Sequence, residues 1–242
     1  MVFVIALTSA VTFLGGTVQA STGFGFALIC MAILPAILPV ADILIMIPFI
    51  SIPAIVIVLI KNFRYINYKL LAIPVIIALI VTLLGFRFML ASDNALAIRL
   101  LGGVLLILSV YFFRFAHKVK IPVNYISAGT VGLTSGVLGG MFGIGGPPMA
   151  LFCAMATEDK REYIATTQAF FCVTLFARIV YIILFVEFTE TIISILPFAT
   201  GAGLLGMVLG THIFNRMNSA KLQKGVYLVM AVAGLWFLIS GN

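Results

Sequence analysis

The amino-acid sequence predicts an all-α integral membrane protein with two inverted repeats of about five helical segments each, and short re-entrant or broken helices at glycine-rich turns. Three observations predict this fold: an apolar composition, a series of residues that recurs later in the chain, and the placement of the basic residues. Of 242 residues, 63% are hydrophobic and 9% are charged, whereas about 25% of residues are charged in soluble domains. Most of the 14 Lys and Arg residues lie in short loops, which is typical of topology signals and not of nucleic-acid binding.

Ten apolar segments make up the predicted helices. Apolar runs of about 20 residues are typical of membrane-spanning helices. The segments of the first half lie at about 3–18, 24–38, 43–60, 69–90 and 95–113. Those of the second half lie at about 124–138, 147–157, 163–186, 191–213 and 225–240. The chain is therefore expected to cross the membrane several times.

Matching residues in the two halves indicate a duplicated chain. Two leucines and a glycine at 83–85 recur at 204–206, and Pro74 recurs as Pro197. Three glycines near the start of the chain are repeated 120 residues later: Gly16, Gly23 and Gly25 match Gly136, Gly143 and Gly145. We therefore predict two transmembrane repeats, 1–120 and 121–242, that form one structural domain.

The odd number of segments per half gives the second repeat the opposite orientation in the membrane. The basic residues agree, because their four loops can all be cytoplasmic only if the halves are inverted and both termini lie outside the cytoplasm. These loops hold Lys61, Arg64 and Lys69; Arg114, Lys118 and Lys120; Lys160 and Arg161; and Arg216, Lys221 and Lys224. Residues 1–20 lack the positive start of a signal peptide and the repeat runs through them, so we expect them in the mature protein.

One segment in each half points to a hairpin. Residues 147–157 would form about 16 Å of helix, about half the thickness of a hydrocarbon core. We therefore predict helical hairpins over 3–38 and 124–157, which turn at the glycine stretches near the middle of the membrane. Two barely spanning helices in each hairpin are the alternative.

The glycine-rich turns predict an anion site. The stretch GGMFGIGGPP (139–148) and its counterpart QASTGFGF (19–26) hold glycines that can adopt positive φ, and Pro147 and Pro148 suit the first turn of a helix. A helix start presents N–H donors and about half a positive charge, the arrangement that binds oxyanions. The alternative is that glycines serve close helix packing, a role that fits Gly132, Gly136, Gly140, Gly206 and Gly210.

Arg178 is the one charge well inside an apolar segment. Its insertion into a membrane costs at least ~2.5 kcal/mol, so such a residue is a functional candidate. All seven acidic residues lie at segment ends, which favours an anionic substrate as the partner of the guanidinium fork. Thr167, Gln168 and Tyr181 could complete a polar face of the same helix. The alternatives are that Arg178 binds helix-end carbonyls or extends outward, and that Tyr181 is an interfacial anchor.

These patterns predict a substrate site and no catalytic or metal site, since no nucleophile–base or ligand constellation is visible in the sequence. No cofactor is expected, and Cys30, Cys153 and Cys172 are interpreted as small hydrophobes. The expected partners are a small anion and membrane lipid, with homo-oligomerisation left open and nucleic acid excluded. The candidate substrate-binding residues are Gln19, Ser21, Thr22, Gly23, Gly25, Gly140, Phe142, Gly143, Gly145, Gly146, Thr167, Gln168, Arg178 and Tyr181.

The doubled turn, GGTVQASTGFGF and GGMFGIGGPPMAL, resembles that of the TauE/SafE family of sulfite exporter-like membrane permeases. The resemblance covers essentially the whole chain. It implies transport of small anions such as sulfite, organosulfonates or short carboxylates across the bacterial inner membrane. The first turn departs from the glycine-rich pattern, because Gln19, Ser21 and Thr22 stand in place of glycines, and this departure bears on the choice of substrate.

The leading hypothesis is a secondary transporter that binds its anion between the two turns and works by rocking of the inverted halves. A passive anion channel and a non-transporting membrane scaffold are the alternatives. Saturating flux with counterflow would distinguish a transporter from a channel. The scaffold predicts that Arg178→Ala leaves anion flux unchanged while it lowers stability.

Overall fold

The computed structural model describes residues 1–114, 122–214 and 219–240, except for the side chains of Ser21, Thr22, 211–214 and 219–224. The described residues form ten α-helices and two short 3₁₀ helices, Leu34–Ala36 and Phe63–Tyr65. The α-helices are α1 (Val2–Thr22), α2 (Phe26–Ile33), α3 (Val40–Asn62), α4 (Tyr68–Leu90), α5 (Asn94–Arg114), α6 (Tyr125–Phe142), α7 (Gly146–Ala156), α8 (Lys160–Phe185), α9 (Glu190–Phe214) and α10 (Ser219–Ser240).

Each predicted apolar segment corresponds to one of these helices. The predicted bounds differ most at α10, which begins at Ser219 and not at 225, and at α2, which ends at Ile33 and not at 38. Helix α6 continues to Phe142, although the prediction ended it at 138. Two glycines in a row, Gly139 and Gly140, do not end the helix, and each has a neighbouring backbone close to the position that a Cβ would occupy. The helix ends only at Gly143, where φ becomes positive.

Six of the described helices are long and apolar enough to cross a membrane, namely α1, α3, α4, α5, α8 and α9. Helices α2 and α7 are apolar but shorter, as is the part of α10 from Gly225 to Ser240. The protein is therefore a multi-pass integral membrane protein. The length of α1 is enough for a full crossing, so the re-entrant nature of the two hairpins stays a prediction.

The first of two compact units contains α1, α2, α5, α9, α10 and the start of α3. Its closest helix crossing is between α1 and α9. A Cβ atom on Gly206 would overlap the carbonyl oxygen of Phe13, and one on Gly16 would overlap that of Gly203. The hydroxyl of Thr17 donates across the same crossing to the carbonyl of Gly206 at 3.1 Å. Small residues let two backbones approach in this way.

The second compact unit contains α4, α6, α7, α8 and most of α3. Here α6 crosses α4 through three glycines. A Cβ on Gly132 would lie 2.8 Å from the Pro74 oxygen, and one on Gly136 would lie 2.8 Å from the Val81 Cβ. One on Gly140 would overlap the backbone of α4. The packing role considered for these glycines is therefore confirmed.

The two crossings draw helices from both halves of the sequence. In the first unit α1 packs on α9, and in the second unit α6 packs on α4. In the predicted repeat, α1 and α6 are the first helices of the two halves, and α4 and α9 are the fourth helices. Each unit therefore pairs the first helix of one half with the fourth helix of the other half. The repeats 1–120 and 121–242, and their inverted orientation, stay predictions.

Two of the four basic loops lie together at one end of the second unit. Arg161 Nη1 donates to the hydroxyl of Tyr65 at 2.8 Å, and the Asn67 amide donates to Glu162 at 2.7 Å. These contacts agree with the prediction that both loops face the same side of the membrane. Lys118, Lys120 and Arg216 lie outside the described residues, as do the side chains of Lys221 and Lys224, so the orientation of the termini stays a prediction.

Candidate anion site

The second glycine turn joins α6 to α7 through residues 143–145. Gly143 has φ 72°, and its N–H donates to the Gly139 carbonyl at 2.9 Å. The next N–H, of Ile144, donates to Leu138 at 3.0 Å. A left-handed residue after the last helical turn commonly ends a helix, and glycine adopts it without a Cβ penalty.

Gly145 differs from the expectation of a left-handed glycine, since its φ is −73°. Glycine is needed there for space. A Cβ atom would lie 2.5 Å from the carbonyl oxygen of Ser135 and 3.0 Å from the Cα of Gly139. The start of α7 is thus pressed against the last turns of α6. Pro147 and Pro148 lie in the first turn of α7, as predicted.

Arg178 reaches the last turn of α6, directly before the glycine turn, from α8. Its side chain is only 1% exposed, and its Nη1 donates to the Gly139 carbonyl at 3.2 Å. The guanidinium carbon lies 4.6 Å from the centre of the Phe86 ring, a cation–π contact. The alternative of an outward-extended side chain is therefore wrong. The alternative that Arg178 binds a carbonyl near a helix end is confirmed for one guanidinium nitrogen, Nη1.

Two other candidates surround this contact. Tyr181 packs edge-on against Phe86 with 5.7 Å between ring centres and also contacts Phe185. Phe142, the last residue of α6, is buried. Tyr181 thus packs against Phe86, the ring that contacts the Arg178 guanidinium. The alternative assignment of Tyr181 as an interfacial anchor does not predict this packing.

Thr167 and Gln168 are buried on α8 but do not lie beside Arg178. Ten or eleven residues separate them from it, which is about 15 Å along a helix. Thr167 lies next to the thiol of Cys153 on α7 instead. A small anion cannot contact both ends of this face, so the structure does not bring these candidates together with Arg178.

Gly140 and Gly146 are part of regular helices. Gly140 packs against Thr82 of α4, as described above, and Gly146 is the first residue of α7. Sequence reasoning missed Ser135, whose buried hydroxyl has no hydrogen-bond partner among the described residues and whose carbonyl abuts Gly145. The only signal was a serine among the glycines of an apolar helix.

The first glycine turn, between α1 and α2, is held by its own glutamine. Gly23 has φ 79° and its N–H donates to the Gln19 carbonyl at 2.9 Å, while Gly25 has φ 125°. The Gln19 side chain accepts from the Phe26 N–H at 3.2 Å and donates to the Gly23 carbonyl at 3.3 Å. The side chains of Ser21 and Thr22 lie outside the described part of the chain.

A family model for the sulfite exporter TauE/SafE matches residues 8–237. The chain belongs to the sulfite exporter TauE/SafE family. Membership confirms the resemblance drawn from the two glycine stretches and implies membrane transport of sulfur anions, a role of a transporter and not of an enzyme. No curated protein and no solved structure matches the chain.

Proposed function

We propose that this TauE/SafE protein carries small oxyanions, such as sulfite, organosulfonates or short carboxylates, and binds them at the α6–α7 turn beside Arg178. The observation that carries the proposal is a fully buried guanidinium that donates to the Gly139 carbonyl in the last turn of α6, directly before the α6–α7 turn. A buried cation is costly in a membrane and marks substrate pathways. An anion bound beside it offsets that cost.

The turn itself supplies the other donors. The N–H groups of Gly143 and Ile144 are used by the end of α6, and prolines have no N–H. The donors left to an anion are therefore the N–H groups of Gly145 and Gly146, at the positive end of the α7 dipole. Gly145 abuts Gly139, whose carbonyl binds Arg178.

The chemistry of these groups favours an oxyanion. A guanidinium presents a planar set of donors that matches two oxygens of a sulfite, sulfonate or carboxylate group. Backbone N–H groups bind the same oxygens without adding charge. Alternating access by rocking of the two repeats is part of the same hypothesis.

Thermal stabilisation of the purified protein tests the proposal. Sulfite, sulfoacetate and acetate should each be compared with a neutral and a cationic solute of similar size. A ligand that binds only the folded state raises the melting temperature, so we expect a rise with anions alone. Equal stabilisation by neutral or cationic solutes would contradict the proposal.

Two arginine variants separate the site from general charge effects. Arg178→Lys keeps the charge but loses the fork, and we expect anion affinity to fall about tenfold, equivalent to ~1.4 kcal/mol. Arg87→Lys is the control, since Arg87 is an exposed arginine of the same unit. Unchanged affinity in Arg178→Lys would remove Arg178 from the site. Counterflow in liposomes then distinguishes a transporter from a channel.

A further inference from the structure

A basic cavity lies at one end of the second unit, far from the turn. It has a volume of about 530 Å³ and is lined by Lys61, Asn62, Phe63, Arg64, Tyr65 and Arg161. Three of these six described lining residues are cations and none is a carboxylate. Arg161 lies 17 residues before Arg178 on α8, or about 25 Å along the helix. The cavity is therefore distinct from the proposed transport site.

Aromatic rings, and not carboxylates, hold two of the cations. Arg161 donates to the Tyr65 hydroxyl at 2.8 Å, and its guanidinium carbon lies 5.4 Å from the centre of the Tyr65 ring. Arg64 lies 5.7 Å from the centre of the Phe63 ring. Such contacts orient a cation without neutralising it. The cavity thus keeps its positive charge for a ligand.

The neighbouring cavity shows that this arrangement is local. It has a volume of about 490 Å³, and its lining residues include Lys69 together with Asp159 and Glu162. Those two carboxylates have partners there, because Glu162 accepts from Asn67 at 2.7 Å and Asp159 accepts from the Arg161 backbone N–H at 2.8 Å. Arg64 and Tyr65 line both cavities, whereas the two carboxylates line the second cavity alone, so the charged residues that line the first cavity are all basic.

We propose that the basic cavity binds the phosphate headgroup of an anionic phospholipid. The cavity lies where the candidate membrane spans Val40–Tyr65 and Lys160–Phe185 meet at one end of the unit, and a membrane crossed by both helices would have its lipid headgroups at this level. Basic pockets between transmembrane helices bind anionic headgroups in this position. Cations from two separate loops can bind one phosphate by charge-assisted hydrogen bonds.

Exposed apolar side chains favour a lipid over a free phosphate ester. Ile60 is 66% exposed, Phe63 is 52% exposed, and Tyr68 is 68% exposed. Aromatic side chains of this kind are enriched at the membrane–water boundary. An acyl chain attached to the bound phosphate can lie along these side chains, whereas a water-soluble ester gains nothing from them.

The test compares two double variants with the same loss of charge. The pocket variant is Lys61→Gln with Arg161→Gln, and the control is Lys69→Gln with Lys160→Gln, which removes two exposed cations from the same end of the unit. Lipid retention by native mass spectrometry and the melting temperature are measured with phosphatidylglycerol, with phosphatidylcholine and with soluble glycerol phosphate.

We expect phosphatidylglycerol to bind the wild-type protein and the control variant in preference to phosphatidylcholine. In the pocket variant its affinity should fall roughly thirtyfold, from the loss of two cations near the membrane surface. The single variant Lys61→Gln should show a roughly fivefold loss, and it serves if the double variant does not fold. Equal losses in pocket and control variants would overturn the proposal. Equal stabilisation by glycerol phosphate would also overturn it, in favour of a solute site.

Discussion

The two glycine turns end their helices in the same way but are stabilised differently. Gly23 and Gly143 have φ values of 79° and 72°, and each N–H donates to the carbonyl four residues earlier at 2.9 Å. After that point the turns diverge. The Gln19 side chain bonds both sides of the first turn, whereas Arg178 reaches the second turn from a different helix.

This difference indicates a division of roles between turns of common backbone geometry. The first turn uses a neutral side chain to satisfy the first N–H of α2, so one donor of that helix is no longer open to a ligand. The second turn lies beside the Arg178 guanidinium, and it is followed by a helix whose first turn contains two prolines. The buried cation therefore lies beside the second turn, which is where we propose that the anion binds.

The largest expected loss of stability concerns a feature that both units have, a tight crossing of two helices, which is α1 on α9 in the first unit and α6 on α4 in the second. Gly206→Ile in the first unit and Gly140→Ile in the second would each place a side chain against a neighbouring backbone oxygen. Overpacking of this kind costs about 3 kcal/mol or more when a backbone must move. We expect both variants to lower the melting temperature in detergent by similar, large amounts.

Gly201→Ile is the matched control, because a Cβ at Gly201 of α9 has nothing within 4 Å. It should melt close to the wild-type temperature. If only one of the two crossing variants is strongly destabilised, the α1–α9 and α4–α6 crossings do not contribute equally to stability, and the expectation of similar losses is wrong.

The sequence predicted the helices well for a physical reason. A membrane helix must bury its backbone polar groups, so its length and apolar composition are visible in the residues alone. The glycine-rich turns at Gly23 and Gly143 were also predicted, since few residues other than glycine adopt left-handed φ readily, but the helices before them end four residues later than the predicted 18 and 138.

The candidate site was predicted less completely. Helical periodicity gave the face shared by Thr167 and Arg178 but not their separation of about 16 Å along the axis. The role of Gln19 depends on a side-chain rotamer that bonds residues four and seven positions later. Neither property follows from residue spacing, so both required the folded backbone.

The second expected effect concerns the glutamine that distinguishes the first turn. Gln19→Met keeps a similar volume but removes the acceptor of the Phe26 N–H. A buried N–H without a partner costs about 2 kcal/mol, so we expect a clear fall in the free energy of unfolding, measured by chemical denaturation in detergent. An unchanged stability with a weaker anion affinity would instead assign the Gln19 amide to the substrate.

The smallest expected effect concerns the two left-handed glycines themselves. A side chain at positive φ costs about 1–2 kcal/mol, partly offset by the lower entropy of the unfolded chain, so Gly23→Ala and Gly143→Ala should each lose about 1 kcal/mol of stability. Gly103→Ala on α5 is the control, because a Cβ there has nothing within 4 Å and alanine favours a helix. Because the two φ values differ by only a few degrees, equal losses follow from backbone geometry alone. A distinctly larger loss at Gly143 would mean that the second turn depends on more than this angle, and that its contact with Arg178 is coupled to the way α6 ends.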